Sequence, residues 1–375
     1  MLKKLINSER LSDYWRNIDK NILISFLALF FLGIFFSFSS TSSLAGERLN
    51  KDFYHYFSRH LTFSVLAIIV MFTISYIKIS FLNKCILPIF LASLILLILV
   101  PFIGIEIKGA KRWLDLIIFR LQPIELIKPF FVLITASLIS SGKEKNSNYS
   151  YFLSLIILSL IIILLLNQPD VGQSILLITT WISIIFISGI KISYILFLFC
   201  LLVLCSIFLL IIFPQKFGYI IERLNIFLDP TKGDNFQTDK ALAAIKEGGL
   251  KGQGMGEGIL KESVPEAHTD YIIAVITEEF GSIISIFVIT IFLYISYKII
   301  KNCIKTTDKN SKIALCGLSS LLIFQTFIHV GVNTSLLPTT GMTLPFLSYG
   351  GSSLIGSSIL AGVILNYTKN RFENE

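Results

Sequence analysis

The sequence predicts an all-α polytopic membrane protein with about ten transmembrane helices and one long extracytoplasmic loop, and three observations predict it. Apolar residues make up 54% of the 375 residues and charged residues only 15%, against about 25% charged in an ordinary soluble protein. A soluble fold of this size needs a more polar surface, and a disordered chain would be less apolar still. The charges gather in short blocks, leaving apolar runs of about 20 residues, enough to span a bilayer at about 1.5 Å rise per residue. Lys and Arg also alternate in density from loop to loop, as they do when alternate loops face the cytoplasm.

Residues 1–20 form a polar segment ahead of the first run, 21–41. That run exceeds the ~7 to 15 residues of a signal-peptide core, so it reads as an uncleaved anchor despite a faint cleavage pattern at 43–45. The next runs cover 61–77, 85–105, 121–142, 150–168, 171–190 and 192–214. A long loop, 216–270, separates them from 271–297, 313–335 and 346–367. The expected organisation is a cytoplasmic segment (1–20), one membrane domain (21–368) containing that loop, and a cytoplasmic tail (369–375). No internal repeat and no low-complexity linker marks a second domain.

One set of alternate loops, including both ends of the chain, holds about 17 basic residues and the other short loops about 7. This places both termini in the cytoplasm. The loop 216–270 carries seven more on the other side, but loops this long translocate largely regardless of charge. The net charge of +8, from 32 basic and 24 acidic residues, is therefore a membrane-topology signal and does not imply nucleic-acid binding. Cys85, Cys200, Cys205, Cys303 and Cys316 show no metal-like or redox spacing and read as buried thiols.

Ionisable groups inside apolar spans are costly, so each requires a reason. Glu125 and Lys128, three apart, share one face of the fourth span and can pair or face a wet cavity. Asp170, in the NQPDVG turn, can cap the following helix. Glu278 and Glu279 enter the eighth span near its start, and His329 reads as a satisfied interior histidine. Between the third and fourth spans, GIEIKGAKRWLDL sets Lys108, Lys111 and Arg112 beside Trp113. That cluster suits an anionic headgroup such as a diphosphate, although Trp and basic residues also simply anchor the interface.

In the long loop, FQTDKALAAIKEGG predicts a short amphipathic helix with Ala241, Leu242 and Ile245 on one side, stopped at Gly248 and Gly249. The glycines of LKGQGMGEG lack dinucleotide-binding spacing and predict a turning loop. SVPEAHTDY then delivers Glu266, His268 and Asp270 to the mouth of the eighth span. A carboxylate there, opposite the basic loop, is placed as a general base for a lipid-linked sugar, while a metal pair from His268 and Asp270 lacks a third ligand. The uncharged segment 333–353, dense in Pro, Gly, Thr and Ser, is expected to line a cavity, because non-helical backbone at membrane depth must be satisfied by protein or water.

Together GIEIKGAKRWLDL with LQPIELIKP, NQPDVGQSILL, RLNIFLDPTKGDNFQTDKALAAIKEGGLKGQGMGEG, VPEAHTDYIIAVITEEFG and GVNTSLLPTTGMTLPFLSYGGSSL resemble the SEDS (RodA/FtsW/SpoVE) family of bacterial cell-wall polymerases. The resemblance runs in order over nearly the whole chain, and AGERLNKDF, the GEG element and GMTLPF look like its division branch more than its elongation branch. One departure is Ile124, where the family has Ser. The resemblance implies a peptidoglycan glycosyltransferase of the bacterial inner membrane that polymerises lipid II on the outer face at the division septum. It implies Asp270 as catalytic acid-base residue, with Lys111, Arg112, Trp113, Glu125, Lys128, Glu266 and His268 as substrate-binding candidates. A divalent cation, Mg²⁺ or Mn²⁺, could share the diphosphate charge, and a class B penicillin-binding protein and other divisome proteins are the implied partners, besides membrane lipids. A lipid II flippase, an elongation-type polymerase and a non-catalytic scaffold are the rival readings.

Overall fold

The computed structural model describes residues 11–40, 55–107, 109–116, 119–141, 147–194, 196–197, 200–201, 204, 212, 214–229 and 236–369. The apolar runs become α2 (Lys20–Ser40), α3 (His55–Tyr76), α4 (Ile79–Ile103), α5 (Pro123–Ser141), α6 (Ser147–Asn167) and α7 (Val171–Ile187), after a short α1 (Leu11–Asn17). The long loop carries α8 (Pro214–Leu228) and α9 (Phe236–Gly248), and α10 (Ile272–Lys305), α11 (Lys309–Asn333) and α12 (Gly351–Tyr367) complete the bundle. Seven of these helices are long and apolar enough to cross a membrane, and α7 and α12 are shorter apolar helices. The expected span 192–214 falls largely outside the described residues.

The buried apolar residues form one continuous cluster through these helices. At its centre α12 is buried along nearly its whole length and packs chiefly on α3 and α5. Small residues permit this: a Cβ on Gly356 would stand 2.6 Å from the Glu125 carbonyl oxygen, and one on Gly362 would stand 2.8 Å from that of Met71. Helix–helix packing in lipid gains little from hydrophobic burial, so such close backbone approach is a principal source of attraction.

α10 bends at Gly281, whose φ of 85° lies in the left-handed region. The bend frees the carbonyls of Glu278 and Glu279, which accept from Gln253 N (2.9 Å) and Gly254 N (3.0 Å) of the glycine-rich loop. That loop is thus a turning segment docked against the kink. The helix expected in 236–247 is present, with Ala241 and Ala244 buried and Ile245 partly so.

Two features depart from the sequence expectation. The basic segment after α4 folds into a small antiparallel sheet, β1 (Ile105–Ile107), β2 (Ala110–Asp115) and β3 (Arg120–Leu121), in the order β1-β2-β3. The cysteines are not uniformly buried: Cys85 is half-buried and Cys200 exposed, while Cys205 lies outside the described residues. Cys303 and Cys316, at the facing ends of α10 and α11, bring their Sγ atoms to 2.8 Å. The thirteen-residue spacing gives no sign of this contact, which the helical hairpin makes between two free thiols.

Candidate active site

The ends of α3, α5, α7, α11 and α12 gather around a cavity of about 760 Å³, whose remaining walls come from the small sheet, α8, α9, the turn before α10 and the segment 339–350. The expectation that the uncharged segment 333–353 lines a cavity is met by Thr339, Thr340, Gly341, Met342, Thr343, Tyr349, Gly350 and Ser353. Its path is fixed from α11: His329 Nδ1 lies 2.8 Å from the Met342 carbonyl and Gln325 Nε2 donates to that of Thr343 at 3.1 Å. His329 is therefore an interior residue that braces the cavity wall.

The turn 266–271 brings Asp270 to this cavity. Glu266 adopts a left-handed φ of 58°, and its carbonyl accepts from the amides of Thr269, Asp270 and Tyr271 at 3.0, 3.1 and 3.3 Å. Tyr349 N donates to the His268 carbonyl (2.8 Å) and Ser348 Oγ to that of Thr269 (2.6 Å), so the wall segment grips the turn. Glu266 is exposed and lines the cavity, with Oε2 accepting from Thr269 Oγ1 at 2.9 Å. Burial raises the Tyr271 phenol well above its ordinary value, reinforced by the Asp270 charge.

Opposite Asp270 stands Arg112. Its Nε donates to the Gln168 carbonyl at 3.0 Å and Nη2 to that of Pro169, so the guanidinium is held by the turn before α7. The third nitrogen, Nη1, and Asp270 Oδ2 approach one point: a Cβ on Gly341 would stand 3.7 and 3.4 Å from them. Gly341, at φ 68°, places no side chain between the Asp270 carboxylate and the Arg112 guanidinium.

Arg223 of α8 also lines the cavity and donates from Nη1 to the Thr339 carbonyl at 3.1 Å. Burial, followed by the charge of Arg112, lowers its pKa from the usual guanidinium range. Two guanidinium groups that repel each other across a cavity gain when an anion enters between them. Arg59 and Arg120 add cationic character beside Tyr349, whose phenol burial pushes up.

Of the candidates read from the sequence, Asp270, Glu266, Arg112, Trp113 and Glu125 line the cavity. Lys111, Lys128 and His268 do not. Lys111 is exposed and opposite Glu106 in the β1–β2 register, outside the cavity that its neighbours Arg112 and Trp113 line. Lys128 lies deeper in the bundle, 2.8 Å from Glu125 Oε2 and 3.1 Å from Gln325 Oε1. The Glu125–Lys128 pair is thus a buried link among α5, α11 and, through Gln173 Nε2 at 2.9 Å from Glu125, α7. His268 stacks on Tyr56, with ring centroids 5.6 Å apart, and burial lowers its pKa. Lys108 lies outside the described residues.

Asp170 caps α7, accepting from Gln173 N at 3.4 Å, as its place in the turn predicts. Sequence reading missed Arg223, Arg59 and Arg120. Arg223 begins the RLNIFLDP string, but nothing local indicates that α8 folds back over a cavity whose Arg112 lies 111 residues earlier in the sequence. Among the described residues, no group of three or more His, Cys, Asp or Glu is arranged to hold a metal.

The family model described as "Cell cycle protein", FTSW_RODA_SPOVE, matches residues 19–373. The chain is 32% identical over 360 residues to the probable peptidoglycan glycosyltransferase FtsW of Caulobacter vibrioides, covering 96% of this chain and 91% of that protein. It is 36% identical over 351 residues to the protein of the same description from Wigglesworthia glossinidia brevipalpis, covering 90% of each. A solved chain from "Structural coordination of polymerization and crosslinking by a peptidoglycan synthase complex" superposes with a TM-score of 0.75 at 24% identity, covering 94% of this chain and 97% of that one. The rod shape determining protein RodA of Thermus thermophilus gives 0.69 at 23% identity, covering 95% and 98%. At these identities the two structures establish a shared fold.

Proposed function

Since the chain belongs to the FtsW, RodA and SpoVE family of cell cycle proteins, we propose that it is a peptidoglycan glycosyltransferase of the division type, polymerising lipid II on the outer face of the bacterial inner membrane. The observation that carries this reading is the carboxylate of Asp270 and the guanidinium of Arg112 meeting at Gly341 inside one polar cavity. Polymerisation joins the 4-hydroxyl of an acceptor sugar to the anomeric carbon of a donor as the bond to undecaprenyl diphosphate breaks. Asp270 takes the hydroxyl proton, and the leaving diphosphate carries away the bonding electrons beside Arg112 and Arg223. A single displacement inverts the anomeric centre, so no sugar–enzyme bond is needed.

The cavity opens to the outer face, with both termini cytoplasmic and the protein at the division septum. The long loop and membrane helices supply the contact surface for a class B penicillin-binding protein, whose transpeptidase crosslinks the new glycan. A divalent cation is proposed on the chemistry of the diphosphate alone. Purified protein, with and without its penicillin-binding partner, is tested on labelled lipid II in detergent. The expected result is polymer from the complex and little from the isolated chain. Polymer made without a membrane cannot be transport, whereas a complex that binds lipid II and never polymerises it favours the flippase reading.

A further inference from the structure

α10 starts at Ile272, and the residue in its N-cap position, Tyr271, provides no side-chain cap. A buried helix start normally needs an acceptor for its first amides, above all the third. Here another helix supplies it. Asn333, the last residue of α11 and fully buried, places Oδ1 3.2 Å from Ala274 N, an amide it shares with the Tyr271 carbonyl at 3.0 Å. The Nδ2 of the same side chain donates to the Asp270 carbonyl at 2.9 Å and to the His329 carbonyl at 2.8 Å.

We infer that Asn333 is a positioning residue for Asp270, acting as an N-cap contributed from a different helix. The inference rests on the reading of Asp270 as the base. One amide side chain pins the backbone on both sides of Tyr271: the carbonyl of Asp270 before it and the amide of Ala274 after it. The third amide of α10 thereby has a side-chain acceptor other than the Asp270 carboxylate, which lies at Gly341 in the cavity. With the Tyr349 and Ser348 contacts, the carbonyls of His268, Thr269 and Asp270 are each held from outside the turn.

The chemistry of the pocket selects asparagine. It presents two carbonyls and one amide N–H, and a terminal amide offers two donors and one acceptor on a side chain of this length. Aspartate has the same shape but would set oxygen against both carbonyls. Leucine has the volume and no hydrogen bonds.

The test uses the full-length protein with its penicillin-binding partner, comparing Asn333→Asp and Asn333→Leu with wild type. Steady-state polymerisation of lipid II gives kcat and KM, and hydrogen exchange is followed over residues 269–276. Both variants should lose kcat by about 10- to 100-fold, the scale of an ångström's misplacement of a catalytic group, with KM changed less than about threefold. Exchange should quicken in 270–275 and not in distant helices. Aspartate, isosteric with asparagine, serves where leucine fails to accumulate. Wild-type kcat in Asn333→Asp overturns the inference, as does unaltered exchange at the start of α10. A parallel rise of KM with the loss of kcat would equally overturn it, pointing to a substrate contact. The base reading is judged separately by Asp270→Asn, while exchange at Ala274 reports the cap whatever the chemistry.

Discussion

Acidic side chains stand at two places on the approach to the kink of α10, just before its first residue and about two turns on, and they are handled in opposite ways. Glu278 accepts from the backbone amides of Leu260 and Lys261 at 2.7 and 2.8 Å, and Glu279 pairs with Lys261 Nζ and accepts from Ser39 Oγ. Those two carboxylates hold α2 and the residues Leu260 and Lys261, which follow the glycine-rich loop, to the helix beside the kink at Gly281. Asp270, at the other place, has its backbone held by neighbouring elements and its carboxylate at the wall of a cavity that also contains Arg112 and Arg223. An acid near the start of this helix is thus no guide to chemistry by itself. What separates the two places is whether backbone groups or a cavity face the carboxylate oxygens.

If the first place is structural, Lys261→Met should leave Glu279 buried without its ionic partner and cost about 3 to 5 kcal/mol of stability. The expected result is a sharp drop in the thermal transition of the detergent-purified protein. Protein that survives should keep a near-normal kcat, and a stable variant with collapsed kcat would move Lys261 into the chemistry. At the second place, Arg112→Gln should lower polymerisation by about 10²-fold, the scale of removing one donor to a developing negative charge. Lys111→Gln, one residue away and outside the cavity, should stay within about threefold because an exposed charge contributes little. Equal losses in the two variants, compared across lipid II concentrations, would erase the distinction between the cavity-lining and the exposed cation of β2. A smaller effect is expected of Gly341→Ala. The left-handed φ costs about 1 kcal/mol for a residue with a Cβ, and the added methyl group would stand between Asp270 and Arg112. A several-fold loss of kcat with a lowered melting temperature is the outcome to look for, and unchanged kcat would show that the gap is not occupied during the reaction.

Much of this arrangement was legible in the sequence, because bilayer length and charge placement act locally. The apolar runs, the helix 236–248, the Asp170 cap and the cavity-lining character of 333–353 all follow from hydrophobic length or from residues within one turn. Glu125 and Lys128, three apart, could be expected to pair, and they do. The small sheet was not legible, since Ile105–Ile107 is too short to show an alternation distinct from interfacial residues. Lys111 and Arg112 therefore look equivalent in sequence, and only the folded sheet leaves the first exposed and brings the second to the cavity. Arg223 and Asn333 act on groups 116 and 63 residues away, and no local pattern carries such information.

The central claim, that Asp270 is the base of a lipid II polymerase, is tested most directly by Asp270→Asn in the purified complex with labelled lipid II. Asparagine resembles aspartate in size and hydrogen-bonding reach, and the third amide of α10 takes its side-chain acceptor from Asn333. The account predicts a stably inserted variant that still binds its partner and polymerises about 10² to 10⁴ times more slowly, with Glu266→Gln retaining most of the activity. Polymerisation by Asp270→Asn at the wild-type rate would contradict it.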